Sequence, residues 1–401
     1  MVPRRPMRGV YDAVVAGAGP AGAATARDIA AAGFSVLLVE EHGAIGEPLH
    51  CSGLVTPRTL ALAGAGDCLV RNELTGAFIN LASGTRLAIG AEETTALAID
   101  RVALDHALVA QAQERGAVLK TGMKLTDIER AHCHLSLQLK HHQGTVRVET
   151  RLLIGADGAQ SRVASWLGRD GPADNLVGLS VEAKLTPERR DCVELFIGNA
   201  IAPGFFGWLI PLADGRARVG VATNAGRRPV HYLRELIARF PRVFRGAEFG
   251  RLSGGVIPLR HVRRPYADNV MLVGDAAGQV KPTSGGGIYS GLVGARHCAA
   301  AAVAALSRDD VSEARLRCYG EAWQRELGGE FQRMQSLREA FLSLSDAELE
   351  LLAGFLQRPA LQRLIRLHGD IDFPSRLFSR PVKLLPAVAR LASRLPWLRA
   401  S

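Results

Sequence analysis

Residues 11–22 of the chain read YDAVVAGAGPAG, a short apolar run that ends in spaced glycines. An alanine-rich run follows at residues 21–32 without a breaker until Gly33, and residues 35–40 (SVLLVE) form a second apolar run. These patterns predict a strand, a tight turn, a helix and a second strand. A unit of this order within about thirty residues is typical of a parallel α/β sheet.

Gly17, Gly19 and Gly22 fit the pattern G-x-G-x-x-G. In this pattern the first glycine permits the turn, the second lets the backbone approach a pyrophosphate, and the third lets the helix pack on the strand. Glu40 ends the second strand, where a carboxylate can accept hydrogen bonds from both ribose hydroxyls. A glycine turn used only for packing is the simpler interpretation, but strand, glycines, helix and acid together favour a nucleotide-binding site.

The composition narrows the class of protein. A chain of 401 residues is longer than a single hydrophobic core usually supports, so two lobes and a helical appendage are expected. The net charge of +10 is spread along the chain and aromatic residues make up only 5%, which argues against nucleic-acid binding. Six cysteines without a CxxC pair favour a reducing compartment, and no apolar run is long enough to span a membrane. We therefore expect a cytoplasmic protein, with peripheral contact at the anionic inner face of the membrane as an option.

A metal site is not predicted, although several histidines lie close together. The alternation in residues 134–139 (HLSLQL) predicts a two-faced strand with the histidines on its wet face, before a polar turn at Gln143 and Gly144. No third carboxylate or thiolate stands at metal-ligand spacing. The histidines concerned are His132, His134, His141 and His142.

Two later segments indicate which nucleotide is bound. Residues 154–158 (IGADG), followed by Ser161 and Arg162, and residues 273–278 (VGDAAG) resemble the DG and GD motifs of flavoproteins of the p-hydroxybenzoate hydroxylase-like class. The resemblance implies FAD as the cofactor and places Asp157 and Asp275 at its site, with Asp275 hydrogen-bonded to the ribityl chain.

The resemblance further implies that the backbone of Gly286, Gly287 and Ile288 meets the flavin ring. The residues agree, because residues 284–287 (SGGG) open a predicted helix whose free N–H groups could stabilise the negative charge of reduced flavin.

Two more residues belong to the predicted cofactor site. Arg101, at the start of a predicted helix over residues 101–115, resembles the arginine segment that contacts FAD in this class, which implies a phosphate or ribityl contact. Taken alone, Asp100 and Arg101 would be a solvated helix start with an acidic cap. Leu125, at a strand edge, could lend its backbone to the adenine.

Three stretches resemble the geranylgeranyl reductase family, which includes the archaeal-type digeranylgeranylglycerophospholipid reductases. They are residues 45–53 (IGEPLHCSG), 203–211 (PGFFGWLIP) and 279–289 (QVKPTSGGGIY), and residues 368–372 (HGDID) are also reminiscent of the family. The resemblance implies that Cys51, Ser52 and Gly53 lie beside the flavin, with Cys51 as a candidate catalytic residue. From the residues alone, Cys51 would more simply be a small apolar filler.

The second of these stretches is the most informative about the substrate. The family element P-x-x-Y-x-W-x-F-P lines the isoprenoid pocket, which implies that Phe206, Trp208 and Pro211 bind substrate here. Phe206 stands where the family has Tyr, and Ile210 stands where it has Phe. The apolar character is kept, as a prenyl chain requires, but the phenolic hydroxyl is lost.

These features predict an FAD-dependent reductase that saturates carbon–carbon double bonds of a polyprenyl chain, a long apolar isoprenoid. The alternative enzyme is a flavin monooxygenase or halogenase acting on an aromatic or quinone substrate. A non-enzymatic flavin sensor or membrane adaptor would draw on the basic residues 383–399. No second glycine-rich βαβ unit is visible, so NADPH, a ferredoxin or another donor protein stay open as the source of electrons.

The predicted fold is α/β, with three parts. A discontinuous Rossmann-like FAD-binding lobe spans residues 1–75, 96–172 and 256–306. An antiparallel β-sheet substrate lobe spans residues 76–95 and 173–255, and a C-terminal helical region spans residues 307–401.

Overall fold

The computed structural model of the chain describes residues 9–90, 93–169, 175–224 and 226–378. The basic residues 383–399 lie outside this part. The strands are β1 Val10–Ala16, β2 Val36–Val39, β3 Leu54–Val55, β4 Val70–Leu74, β5 Gly76–Leu81, β6 Arg86–Gly90, β7 Ala96–Ile99, β8 Val118–Lys120, β9 Lys124–Ala131, β10 His134–His141, β11 Gly144–Gly155, β12 Asn175–Lys184, β13 Cys192–Ile197, β14 Phe206–Pro211, β15 Arg216–Thr223, β16 Glu248–Pro258, β17 Tyr266–Ala267 and β18 Val270–Leu272.

Helices pack on both faces of the first sheet and on the second sheet, and they form most of the described C-terminal part. The α-helices are α1 Pro20–Ala31, α2 Pro57–Ala63, α3 Arg101–Glu114, α4 Arg162–Trp166, α5 Pro229–Arg239, α6 Ile288–Leu306, α7 Glu313–Trp323, α8 Gly329–Leu342, α9 Asp346–Leu356 and α10 Pro359–His368. Short 3₁₀ turns occupy Asp67–Leu69, Gly274–Ala277 and Pro374–Phe378, and a π-helical turn at Gln324–Gly328 joins α7 to α8.

The first sheet has a parallel centre. Its strands lie in the order β17-β18-β11-β1-β2-β8, and β9 and β10 extend it as an antiparallel ladder on the first half of β11. The pairs β18-β11, β11-β1, β1-β2 and β2-β8 are all parallel. The predicted strand, helix and strand over residues 11–40 are confirmed, and so is the α/β class of the fold.

Small side chains allow helix α1 to pack closely against its neighbours. Ala23, Ala26 and Ile29 are fully buried, and α1 packs against both α3 and α6. The alanine-rich α6 buries Ala295, Ala302 and other small residues in the same core. The side of the sheet that carries α1 is thus closed by three helices, because alanine stripes let the helix axes approach.

The second sheet is mixed rather than purely antiparallel. Its order is β16-β12-β15-β14-β13-β5-β6, and every neighbouring pair in the described residues is antiparallel except β5 with β13, which run parallel. The parallel pair arises because β5 comes from the earlier segment and enters this sheet beside a strand that follows more than a hundred residues later. Helix α5 covers one face, where Leu236 is buried.

One feature was not predicted. A small third sheet, β3-β7-β4, has two strands that precede β5 and β6 of the second sheet and one that follows them, and its strand β3 comes directly after residues 51–53. Helices α7 to α10 confirm the helical pattern up to the end of the described residues. No helix in the described part is long and apolar enough to cross a membrane. The predicted boundaries between the lobes stay a prediction.

Candidate active site

Four of the predicted motifs meet at one edge of the first sheet. Ala16 at the end of β1 pairs with Gly155 of β11 and with Val39 of β2, and Gly155 in turn pairs with Leu272 of β18. The carboxyl ends of parallel strands lie at the same sheet edge. The residues that follow these four ends are the glycine-rich turn, Glu40, Asp157 and Asp275.

The three glycines of the turn are required for different reasons. A Cβ on Gly17, whose φ is +104°, would lie 2.2 Å from the carbonyl oxygen of Ala156, and a Cβ on Gly22 would lie 2.0 Å from that of Gly17. A Cβ on Gly19 would have no atom within 4 Å. Steric overlap with the chain's own backbone therefore excludes side chains at Gly17 and Gly22. Gly19 instead faces open space at the start of α1, where a pyrophosphate would lie.

Glu40 ties the end of β2 to the glycine-rich turn. Its Oε2 accepts a hydrogen bond from the amide of Ala18 at 2.9 Å, and its Oε1 accepts from the amide of His42 at 3.0 Å. Leu125 lies close to the same segment, because the amide of Met123, two residues earlier, donates to the carbonyl oxygen of Glu40 at 2.8 Å. The side chain of Leu125 itself is buried in the core under β9.

The carboxylate of Asp157 is engaged within the chain. It accepts hydrogen bonds from the hydroxyl of Ser161 at 2.5 Å, the amide of Arg162 at 2.8 Å and the amide of Val163 at 3.2 Å. Asp157 therefore caps the short helix α4 and shapes the turn after β11. Its side chain has a structural role at the site, and a contact to FAD from this residue would come from its backbone.

Asp275 has the opposite character. No described residue donates a hydrogen bond to its carboxylate, which is exposed to the cleft yet closely surrounded by protein. This desolvation raises the pKa of Asp275 to about 6, although the charge of Arg101 acts in the other direction. A Cβ on Gly287 would lie 3.0 Å from Oδ1 of Asp275, so the carboxylate stands beside the start of α6. It is an available acceptor for a ribityl hydroxyl.

Arg101 lies at the centre of the cleft and is buried. Its guanidinium makes a bidentate pair with Asp105, at 2.7 and 3.1 Å, one helical turn further along α3. Burial alone would lower the pKa of Arg101, but the Asp105 carboxylate and the nearby Cys51 raise it above its ordinary value. Its Nε, like the hydroxyl of Ser284 in the glycine loop, is buried without a partner among the described residues.

Residues 51–53, here called the Cys51 loop, approach this arginine. The amide of Gly53 donates to Sγ of Cys51 at 3.4 Å, and a Cβ on Gly53, whose φ is +69°, would lie 2.3 Å from Nη1 of Arg218. Nη1 of Arg218 donates to the carbonyl oxygens of Ser52 at 3.0 Å and Ile99 at 2.8 Å. A Cβ on Gly53 would also lie 3.2 Å from Cγ of Arg101, and Cys51 is close enough to that arginine to raise its pKa, so the Cys51 loop lies beside Arg101.

Arg218 is a site residue that the sequence analysis missed. It is buried in β15, and its Nε donates to Glu182 of β12 at 3.0 Å. The signal in the sequence was a single arginine within the otherwise apolar run of residues 217–223 (ARVGVAT). Such a charge inside a buried strand must find partners, since an unpaired buried charge is costly.

Residues 279–287, here called the flavin loop, end at the start of α6. Gly287 is the N-cap residue of α6 and Ile288 its first residue, and no side chain caps this end. The unsatisfied N–H groups of Gly286 to Ile288 and the helix dipole thus point out of the helix start beside Asp275. This arrangement suits a cofactor ring that becomes negatively charged on reduction.

Strand β14 presents apolar side chains to the flavin loop. Phe206, Trp208 and Ile210 alternate onto one face of the sheet, here called the aromatic face. Phe206 and Trp208 pack against a buried cluster that includes Val280 of the flavin loop, whereas Ile210 is buried in a separate cluster. Phe205 stacks on Phe206 with ring centroids 4.1 Å apart, and a Cβ on Gly285 would lie 3.3 Å from its ring.

Pro211 does not join the aromatic face. The alternation of β14 puts it on the same side as Leu209, which is buried against α5, and its carbonyl oxygen accepts from the side chain of Asn72 at 3.1 Å. Pro211 therefore lies on the opposite face of β14 from Phe206 and Trp208, and the part of these three residues in substrate binding stays a prediction. The sequence separations of 2 and 5 residues already place Pro211 out of phase.

The site as a whole fits FAD. It combines open space at Gly19, an unpartnered carboxylate at Asp275 and an uncapped helix start at Gly287. No group of three or more His, Cys, Asp or Glu side chains in the described part could hold a metal ion. Within the predicted histidine strand, Leu135, Leu137 and Leu139 are buried, as the alternation indicated.

Comparisons with known proteins agree with this geometry. Residues 10–325 match a family model described as FAD binding domain. Digeranylgeranylglycerophospholipid reductase 1 of Methanococcoides burtonii is 30% identical over 398 residues, covering 94% of this chain and 94% of the relative.

Solved structures show the same fold. A geranylgeranyl bacteriochlorophyll reductase-like protein from Thermoplasma acidophilum has a TM-score of 0.86 at 23% identity and covers 96% of this chain and 99% of its own. The p-nitrophenol 4-monooxygenase of Pseudomonas putida has a TM-score of 0.73 at 18% identity, with 93% and 99% covered. At these identities the likeness extends to the fold alone.

Proposed function

We propose, from the premise that this chain belongs to the digeranylgeranylglycerophospholipid reductase family of FAD-dependent oxidoreductases, that it saturates carbon–carbon double bonds of a polyprenyl chain carried by a lipid. The observation that carries the proposal is that Phe206 and Trp208 pack against the buried apolar cluster to which Val280 of the flavin loop belongs. An apolar surface directly beside the flavin loop suits an alkene rather than a polar ring.

The aromatic face provides the binding energy. Each CH₂ group transferred from water to an apolar surface contributes about 0.8 kcal/mol, so a long prenyl chain binds tightly without polar anchors. Phe206 and Trp208 are each partly exposed, which leaves ring surface for the chain, and their edge-to-face packing at 6.3 Å keeps that surface rigid.

The reaction adds two hydrogens across the double bond. FAD, when bound and reduced, supplies a hydride to one carbon, and a proton must reach the other carbon. We assign that proton to the thiol of Cys51, whose Sγ accepts a hydrogen bond from the amide of Gly53 at 3.4 Å and which lies beside the guanidinium of Arg101. The remaining work of the protein is to orient the alkene and exclude water.

The electrons and the membrane are further parts of the proposal. The sequence has no second glycine-rich βαβ unit, which supports a transient donor, either NADPH or a ferredoxin, rather than a resident nicotinamide site.

Peripheral contact with an anionic membrane is supported by the net charge of +10 and by the exposed Leu351 and Leu367 on the C-terminal helices.

The test is anaerobic. Protein reduced with dithionite is mixed with geranylgeranyl lipids, and the products are analysed by mass spectrometry for the addition of two hydrogens per double bond. Cys51→Ser and Cys51→Ala should bind FAD normally and lose most of the product. No mass gain on any prenyl lipid would overturn the proposal, and NADPH-coupled oxygen consumption with a hydroxylated aromatic product would point to the monooxygenase class instead.

A further inference from the structure

A buried ion pair lies under the flavin loop. Nζ of Lys281 donates to Oδ1 of Asp372 at 2.8 Å, and the relative exposures are 6% for Lys281 and 2% for Asp372. Lys281 is part of the flavin loop, whereas Asp372 belongs to the HGDID stretch near the end of the described chain. The reaction described above gives neither residue a role.

Asp372 joins three separate segments. Its Oδ2 accepts from the hydroxyl of Thr56 at 2.6 Å and from Arg58 at 3.2 Å, both of which follow the Cys51 loop at the start of α2. Lys281 also donates to the carbonyl oxygen of Ile371 at 3.4 Å. The carboxylate therefore connects the C-terminal segment, the start of α2 and the flavin loop at a single buried point.

Lys281 in turn packs against the residues that precede α6. Its amide donates to the carbonyl oxygen of Gly286 at 3.1 Å, and a Cβ on Gly286 would lie 3.1 Å from its Cε and 3.4 Å from its Nζ. The neighbouring Gly287 has Asp275 on its other side. A fixed positive charge thus lies within one residue of the helix start where reduced flavin would place its negative charge.

We propose that Lys281 and Asp372 are positioning residues that hold the flavin loop and set the charge at the start of α6, and that they thereby tune the reduction potential of the bound flavin. As a pair the two charges largely cancel. Removing Asp372 leaves the ammonium of Lys281 as an uncompensated buried charge, whereas removing Lys281 leaves the carboxylate of Asp372 paired with Arg58 alone. Either substitution changes the charge beside the start of α6 by one unit, and in opposite directions. The inference depends on FAD binding alone and not on the prenyl substrate, so its failure would leave the proposed reaction untouched.

The two single substitutions should act with opposite sign. In Asp372→Asn the uncompensated ammonium of Lys281 favours the reduced, anionic flavin, and the reduction potential rises. In Lys281→Met the remaining carboxylate disfavours it, and the potential falls. We expect each variant to change the relative affinity for reduced over oxidised FAD about tenfold, which is about 30 mV for a two-electron couple.

The experiment measures the potential of the holoprotein by equilibration with a reference dye, together with the thermal midpoint of the apoprotein. Asp370→Asn is the matched control, because it removes the same charge from the same segment, where Asp370 pairs with Arg58 and accepts from the amide of Asp372, while no described contact joins it to Lys281. It should lower the thermal midpoint and shift the potential much less than Asp372→Asn does. The proposal would be overturned if the potential shifted in the same direction in both single variants or in neither of them. It would also be overturned if the control shifted as much as the single variants.

A double variant covers the case in which a single variant does not retain FAD. Lys281→Met with Asp372→Leu leaves the net charge unchanged and replaces the pair with apolar side chains of similar size. It should bind FAD with a potential close to that of the unsubstituted protein. A double variant whose potential shifts as much as either single variant, or which loses FAD, would contradict the proposed tuning by charge.

Discussion

Nη1 of Arg218 donates to the carbonyl oxygen of Ser52 at 3.0 Å, which links a strand of the second sheet to the loop that carries Cys51. The same nitrogen also holds the carbonyl oxygen of Ile99, the residue that ends β7 and precedes helix α3 by two positions. One buried guanidinium therefore sets the distance between the thiol and the start of α3, where Arg101 lies.

Replacing Arg218 by Gln should release the Cys51 loop. Two carbonyl oxygens lose their donor, and the free energy of unfolding should fall by roughly 2 kcal/mol. Alkylation of Cys51, followed by peptide mass spectrometry to separate it from the exposed cysteines, should become several-fold faster. Arg216→Gln is the control, because Arg216 lies two residues earlier on the same strand but is largely exposed and pairs at the surface. If both variants changed the free energy of unfolding and the alkylation rate of Cys51 equally, Arg218 would not have the positioning role inferred for it.

Substitutions at two glycines of the glycine-rich turn should have different effects, one on FAD binding and one on stability. Gly19→Ala should leave the stability of the apoprotein unchanged, since its φ of −68° suits alanine and the new methyl group meets no protein atom, yet should weaken FAD binding by roughly tenfold or more. Gly22→Ala should destabilise the apoprotein by roughly 2 to 3 kcal/mol, since its Cβ would overlap the backbone of Gly17. Urea unfolding measures the stability of each apoprotein, and fluorescence titration with FAD measures its affinity for the cofactor. A loss of apoprotein stability in Gly19→Ala would contradict the assignment of open space to the cofactor.

The carboxylate of Asp275 should make the stability of the apoprotein depend on pH. Its pKa is about 6 in the folded state against 3.8 when unperturbed, so the folded state binds more protons and its stability falls as the pH rises from about 4 to 6. Asp275→Asn should remove this fall, so the apoprotein variant should be the more stable one at pH 7.5. The same variant should bind FAD more weakly, and the unsubstituted protein should lose affinity for FAD as the pH drops through 6. Thermal midpoints across pH 4 to 8 would contradict the assignment if the two apoproteins gave parallel curves.

The aromatic face can be tested through the substrate. Trp208→Ala should raise KM for a geranylgeranyl lipid by roughly 30-fold, about 2 kcal/mol of lost apolar contact, while Trp208→Phe should have a small effect. Pro211→Ala should leave KM unchanged, because Pro211 lies on the opposite face of β14. Phe206→Tyr restores the hydroxyl of the family element and measures whether this chain has lost a polar contact. If Pro211→Ala raised KM as much as Trp208→Ala does, Pro211 would have to contact the substrate, which would contradict this expectation.

The sequence predicted those parts of the site that depend on local structure. Gly17 and Glu40 directly follow a buried strand and Asp275 comes three residues after the end of β18, and parallel strands bring their carboxyl ends together, so their meeting could be expected from the motifs alone. Asp157 was placed correctly at the sheet edge, but the use of its carboxylate as a helix cap depends on the exact conformation of the turn.

Contacts between distant segments could not be predicted in the same way. Arg218 meets Ser52 across the two sheets, and Lys281 meets Asp372 across the C-terminal helices, and no periodicity connects residues so far apart in the chain. The two-residue period of a strand puts Pro211 on the opposite face of β14 from Phe206 and Trp208, whereas its part in substrate binding stays a prediction. The parallel pairing of β5 with β13 also depends on topology rather than on either strand's own sequence.

The order of the strands in the first sheet has a consequence for biosynthesis. β18 completes the parallel centre beside β11 and β1, and it leads into Asp275 and α6, about 260 residues after Gly17. At the usual elongation rates of 5 to 20 residues per second, a ribosome needs roughly 13 to 50 s to make that stretch. During this time the glycine-rich turn has emerged without the carboxylate and helix that complete its site, and the alanine face of α1 lacks α6. The flavin site is therefore completed only late in translation, and the alanine face of α1 stays uncovered until α6 has been made.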